Sequence, residues 1–149
     1  MQKELEKLYA EYGEDRNPEL YNNMGGEIRR EVYIKARDRA RNACALKLCL
    51  ALEKAGFYIP DVPNSLKGRN GRNYFVSAGF FYEFLENSYS DCAHYYSSPN
   101  ALKAQMSQGI YYQNGGWRGS SITGHIDAMY KGMPGGKVYN NQPLNVGFY

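Results

Sequence analysis

Leu5, Leu8 and Tyr9 share one side of an otherwise charged stretch, a spacing that predicts a short amphipathic helix over residues 4–11, followed by a polar run through Pro18. A different pattern begins at Asn42. Residues 43–55 are apolar almost all round, Asn42 is a good N-cap and Gly56 a good stop, so a buried helix is expected between them. Phe80, Phe81, Phe84 and Leu85 predict a further helix over residues 78–87 that buries all four together. Strand-like runs follow at 74–76 and at 109–113, the second ending at Asn114-Gly115, a hairpin turn signal. Over residues 121–130 the alternation places Thr123, His125 and Asp127 on one face and Ile122, Ile126 and Ala128 on the other. Short strands are expected at 137–139 and 146–149. Pro60, Pro63, Gly68 and Gly71 mark residues 59–72 as a connection long enough to border a cleft. This order predicts an α+β fold, with N-terminal helices and a buried helix packed on an antiparallel sheet made of the later strands.

Composition narrows the class. With 149 residues, 43% hydrophobic and 22% charged, the chain is expected to form a single domain over residues 1–149. No basic-apolar leader opens it and no apolar run approaches roughly 18 residues, so neither a signal peptide nor a membrane span is expected. A net charge of +3 and the lack of a recognisable nucleic-acid motif argue against a nucleic-acid module. The main cationic cluster, Arg29, Arg30, Lys35, Arg37, Arg39 and Arg41, is interleaved with Glu27, Glu31 and Asp38. It reads as a solvated face, or as a surface attracted to an anionic wall or an acidic partner. Three cysteines are an odd number, which argues against a disulfide framework and leaves a Cys49–Cys92 bridge open. No CxxC or HxxxH pair offers a zinc site, and no metal or other cofactor is expected.

The candidate chemistry lies at the start of the buried helix. Cys44 falls in its first turn, where unpaired backbone N–H groups and the positive end of the helix dipole favour a thiolate, with Arg39, Arg41 and Lys47 nearby in sequence. Cys49 points about 140° away around the helix and reads as core. The same alternative, a small buried hydrophobe, stands for Cys44 itself. A nucleophilic thiol needs an imidazole, and the chain has only His94 and His125. His94 sits among Ser90, Asp91, Ser97, Ser98 and Pro99 and reads as a loop residue; His125, on the strand-like run beside Gly124, is the candidate base. Trp117 and the abundant tyrosines are candidates to line a cleft for sugar or peptide.

Taken together, Leu20-Tyr21-Asn22-Asn23-Met24-Gly25-Gly26, Asn42-Ala43-Cys44-Ala45-Leu46-Lys47-Leu48, Ala51 to Gly56, Tyr74-Phe75-Val76, Gly116-Trp117 and Gly124-His125-Ile126-Asp127 resemble the fourth family of type VI secretion amidase effectors. The resemblance spans roughly residues 1 to 130. It implies a papain-like cysteine hydrolase, delivered without a signal peptide by the type VI secretion machinery to the periplasm of a rival bacterium. There it would cut the peptidoglycan stem peptide between D-glutamate and meso-diaminopimelate, and a cognate immunity protein would plug its cleft in the producing cell. Cys44 would be the nucleophile and His125 the general base. The chain departs from the family pattern at Ala128-Met129, where Leu-Trp is common, and in having no acidic residue after Asp127 to orient the histidine. Asn140, Asn141 and Asp127 are the candidates for that third role. Asn140 is favoured because a neighbouring strand is the expected source, whereas Asp127, two residues along the strand from His125, suits substrate contact better, as does Trp117. The departures also leave room for a catalytically inactive wall-binding or interaction domain on the same fold.

Overall fold

The computed structural model describes residues 3–13, 17–37, 40, 42–114 and 124–149. In chain order the elements are α1 (Leu5–Ala10), α2 (Asn17–Met24), α3 (Gly26–Ile28) running into a π-helical turn (Arg29–Ile34), α4 (Cys44–Lys54), β1 (Leu66–Lys67), β2 (Asn73–Tyr74), α5 (Ala78–Ser88), β3 (Ala93–Tyr96), α6 (Pro99–Gln105), β4 (Gln108–Asn114), β5 (His125–Tyr130), β6 (Met133–Pro134) and β7 (Leu144–Phe148). The architecture is α+β. β1 and β2 form a small ribbon, and the other strands make one antiparallel sheet in the order β3-β7-β4-β5-β6.

The buried helix is the expected one, shifted slightly in its start. Ala43 is the N-cap, so Cys44 is the first helical residue. Asn42 caps from one position earlier, its Oδ1 accepting from the Cys44 N–H at 3.3 Å, while its own carbonyl accepts from the Tyr21 hydroxyl at 2.7 Å. At the other end Gly56 takes φ +93°, a left-handed conformation that suits glycine. Leu46, Leu48, Cys49 and Ala51 of α4 are buried with Phe75, Phe81, Ile126, Ala128 and Val146, which makes α4 the centre of the main core. α1 and β5 both pack on it. The sheet has a second buried face, where Tyr111 and Met129 meet Tyr96, Leu102 and Met106 beneath α6.

Several expectations give way to tertiary context. Phe81 and Leu85 are buried as the pattern requires, but Phe80 is 43% exposed, on the side of α5 that turns toward the cleft. His94 lies on β3 rather than in a loop, opposite Gly147, with its ring stacked on Tyr149 at 4.1 Å. α6 was not anticipated, although Ser98-Pro99 is a helix-start signal: Ser98 Oγ accepts from the Ala101 N–H at 3.1 Å, and Pro99 occupies the first turn. The tail at 137–139 is not a strand. Its backbone groups meet side chains of β4 instead of a strand: the Tyr111 hydroxyl, whose single proton is shared with Asp127 Oδ2, lies 2.7 Å from the Lys137 carbonyl oxygen, and Gln113 both donates to the Tyr139 carbonyl (3.0 Å) and accepts from its N–H (2.8 Å). Nor do Asn114-Gly115 close a two-residue hairpin, since Gln113 pairs with His125 and the chain between them covers eleven residues.

All three cysteines are free. Cys49 is core, its sulfur accepting from the Phe75 N–H at 3.3 Å and its thiol pushed up to about 12 by burial. Among the described residues, no helix is long and apolar enough to cross a membrane.

Candidate active site

Cys44 is placed by α4 at the base of a cleft of about 530 Å³, whose walls come from Asn42, from the start of α5 and from the β4–β5 edge. Its sulfur is 4.0 Å from the carbonyl oxygen of Gly124. The next residue, His125, opens β5 and is 6% exposed. Close approach here requires the glycine, because a Cβ at position 124 would stand 2.6 Å from the ring of Tyr112. That ring is itself stacked on Tyr82 at 4.3 Å, which stiffens the aromatic wall of the cleft.

The imidazole is held from several directions. Nε2 lies 3.3 Å from Asp127 Oδ2. The edge of His125 meets Tyr139 at 4.9 Å between ring centres. Burial alone would push the imidazole toward its neutral form, but hydrogen bonds to the Asp127 carboxylate and to Cys44 outweigh it, so the ring is raised to about 9. A cysteine set beside a histidine, with a carboxylate against the ring's Nε2, supplies the parts of a thiol nucleophile with its proton acceptor.

The other sequence candidates are placed as follows. Asp127 is fully buried and accepts from the Ala128 N–H (2.6 Å), the Gly136 N–H (2.7 Å) and the Tyr111 hydroxyl (2.9 Å), so it is not a substrate-facing residue as the sequence suggested. Asn140 and Asn141 are exposed in a turn, and among the described residues neither is hydrogen-bonded to His125. The reason is the tail geometry: side-chain fastening of residues 137–139 to β4 brings the Tyr139 ring, not Asn140, to the imidazole. Trp117, Thr123, Ile122, Arg39, Arg41 and Asp38 lie outside the described residues. His94, on β3, is separated from β5 by two intervening strands, β7 and β4. Tyr111 escaped the sequence reading altogether; only its register, directly opposite Asp127, could have flagged it. Among the described residues no group of histidine, cysteine, aspartate or glutamate side chains could hold a metal ion.

The chain is similar to solved structures over nearly its whole length. The effector Tae4 in complex with the immunity protein Tai4 from Enterobacter cloacae matches with a TM-score of 0.70 and 19% identity, covering 100% of this chain and 98% of that one. Tae4 of the Tae4/Tai4 effector–immunity system from Salmonella typhimurium matches with a TM-score of 0.73 and 16% identity, covering 99% and 97%. These likenesses establish the fold, a papain-like α+β arrangement. No curated protein is detectably similar in sequence. The model of Tae4, described as type VI secretion system amidase effector protein 4, matches residues 40–145 and thus takes in Cys44, Gly124, His125 and Asp127. The chain belongs to this family of type VI secretion amidase effectors.

Proposed function

We propose that residues 1–149 act as one papain-like amidase domain that cuts the peptidoglycan stem peptide between D-glutamate and meso-diaminopimelate. Cys44 is the nucleophile and His125 the general base. The observation that carries this reading is a first-turn cysteine that lines the cleft with its sulfur 4.0 Å from the Gly124 carbonyl oxygen, beside a buried His125 whose Nε2 stands 3.3 Å from Asp127 Oδ2. His125 holds the proton given up by Cys44, and the thiolate sulfur attacks the amide carbonyl to form a tetrahedral intermediate. Asn42 lies on the cleft wall with its Oδ1 engaged by the Cys44 N–H, and its side-chain amide nitrogen is the donor assigned to the forming oxyanion. His125 then protonates the departing amine, and water releases the acyl group from sulfur.

The solved relatives from Enterobacter cloacae and Salmonella typhimurium are complexes with the immunity protein Tai4, which supports a cognate immunity partner for this chain too. The family supports delivery by the type VI apparatus and action in the periplasm of the recipient cell.

The test is digestion of diaminopimelate-type peptidoglycan with analysis of the released muropeptides. Wild type should release stem-peptide fragments ending at D-glutamate, and Cys44→Ala should release none while still folding. Identical profiles for the two proteins would defeat the amidase reading for this substrate and leave a wall-binding role.

A further inference from the structure

His125 is flanked by an acidic residue on its own strand and a tyrosine on the next, and the two are locked together. Tyr111 on β4 and Asp127 on β5 are direct cross-strand partners in the antiparallel ladder, on the face turned away from Ile126 and Ala128. The Tyr111 hydroxyl lies 2.9 Å from Asp127 Oδ2, 2.7 Å from the Lys137 carbonyl and 3.5 Å from His125 Nε2. All three side chains are almost completely buried.

We propose that Asp127 and Tyr111 form one positioning unit for His125, in which the orienting carboxylate sits two residues along the base's own strand and the tyrosine hydroxyl clamps it against the ring. This rests on the reading of His125 as general base. An i,i+2 pair on a strand points in parallel and does not by itself bring a carboxylate onto a ring. Here the carboxylate is pulled over by its other bonds. Oδ1 accepts from the Ala128 N–H, while Oδ2 accepts from the Gly136 N–H, the Tyr111 hydroxyl and the imidazole. Room for this comes from Gly135-Gly136, where added Cβ atoms would stand 2.8 Å from Oδ1 and 2.9 Å from Oδ2. The tail that was expected to supply an orienting side chain supplies instead a backbone N–H and a backbone carbonyl, which tie the unit together.

Among the described residues, the groups facing this unit are few. Cys44 and Tyr139 meet the imidazole, with the Lys137 ammonium over the Tyr139 ring at 4.7 Å; Glu6 and Tyr9 of α1 approach Asp127 from the other side. The two members of the unit act on the imidazolium with opposite sign. The carboxylate stabilises it directly. The tyrosine, its single proton shared between that oxygen and the Lys137 carbonyl, draws off part of that negative charge.

The experiment is NMR titration of the protein carrying ¹³C-labelled histidine, where His94→Gln assigns the two ring signals. It needs no substrate, so its outcome is independent of whether peptidoglycan is cut. Asp127→Asn should move the His125 midpoint down by about one unit or more. Tyr111→Phe should move it up by a smaller amount, and in the peptidoglycan assay should lower kcat severalfold with KM unchanged. An asparagine at 127 must set its NH₂ against one of two backbone N–H donors, so if that variant unfolds, Gly136→Ala provides the second test. It presses on Oδ2 and should also move the midpoint down. No shift in either downward variant, or a Tyr111→Phe shift in their direction, overturns the proposal.

Discussion

At the scale of single residues, the site depends on what each atom is left free to do. The Asn42 carbonyl is taken by Tyr21 and its Oδ1 by the Cys44 N–H, so the amide nitrogen is the polar group it can offer a ligand in the cleft. Asn42→Ala is therefore expected to lower kcat by about 10²-fold while leaving KM within a few-fold, as loss of an oxyanion donor does. Steady-state hydrolysis of a defined stem peptide reads the two constants separately, and a change confined to KM would assign Asn42 to substrate binding instead. The sequence exposed Cys44 and His125 because a helix start and a shortage of imidazoles leave few choices. Tyr111 was invisible there: nothing local distinguishes it among fifteen tyrosines until the strand register sets it opposite Asp127.

At the scale of elements, local chemistry and long-range packing divide the work. Helix ends followed their signals, as Ser77 shows by accepting from the Phe80 N–H at 3.3 Å to start α5. The tight approach of α3 to the β1–β2 ribbon is of another kind. Gly26 has φ +56°, and a Cβ there would stand 2.8 Å from both the Lys67 carbonyl oxygen and the Gly68 carbonyl carbon, backbone atoms that cannot swing aside. Gly26→Ala should destabilise the fold by about 1–3 kcal/mol, combining left-handed backbone strain with this clash. Urea denaturation measures it, and an unchanged midpoint would mean that the ribbon yields. The Met24-Gly25-Gly26 turn was legible as a turn; its partner forty residues on was not.

For the whole molecule, burying a charged imidazole ties stability to pH. In the folded protein His125 is raised to about 9, against 6.5 in the unfolded chain, so the folded state holds its proton more tightly. The resulting stabilisation is fully present below pH 6.5 and is lost as pH rises through about 9. Thermal unfolding should show Tm falling across that window, and Asp127→Asn should flatten the fall; a wild-type Tm that rises there would contradict it. By itself the sequence determined the α+β order, the buried helix with Cys44 at its head and the strand carrying His125, because those follow from periodicity, capping and turn residues a few positions apart. Only the tertiary structure decided which group holds the imidazole. By sequence Asp127 ranks below Asn140 among the three candidates because it points parallel to His125, yet it reaches the ring because β4 and the glycine tail, distant in sequence, donate to its carboxylate and fix where it lies.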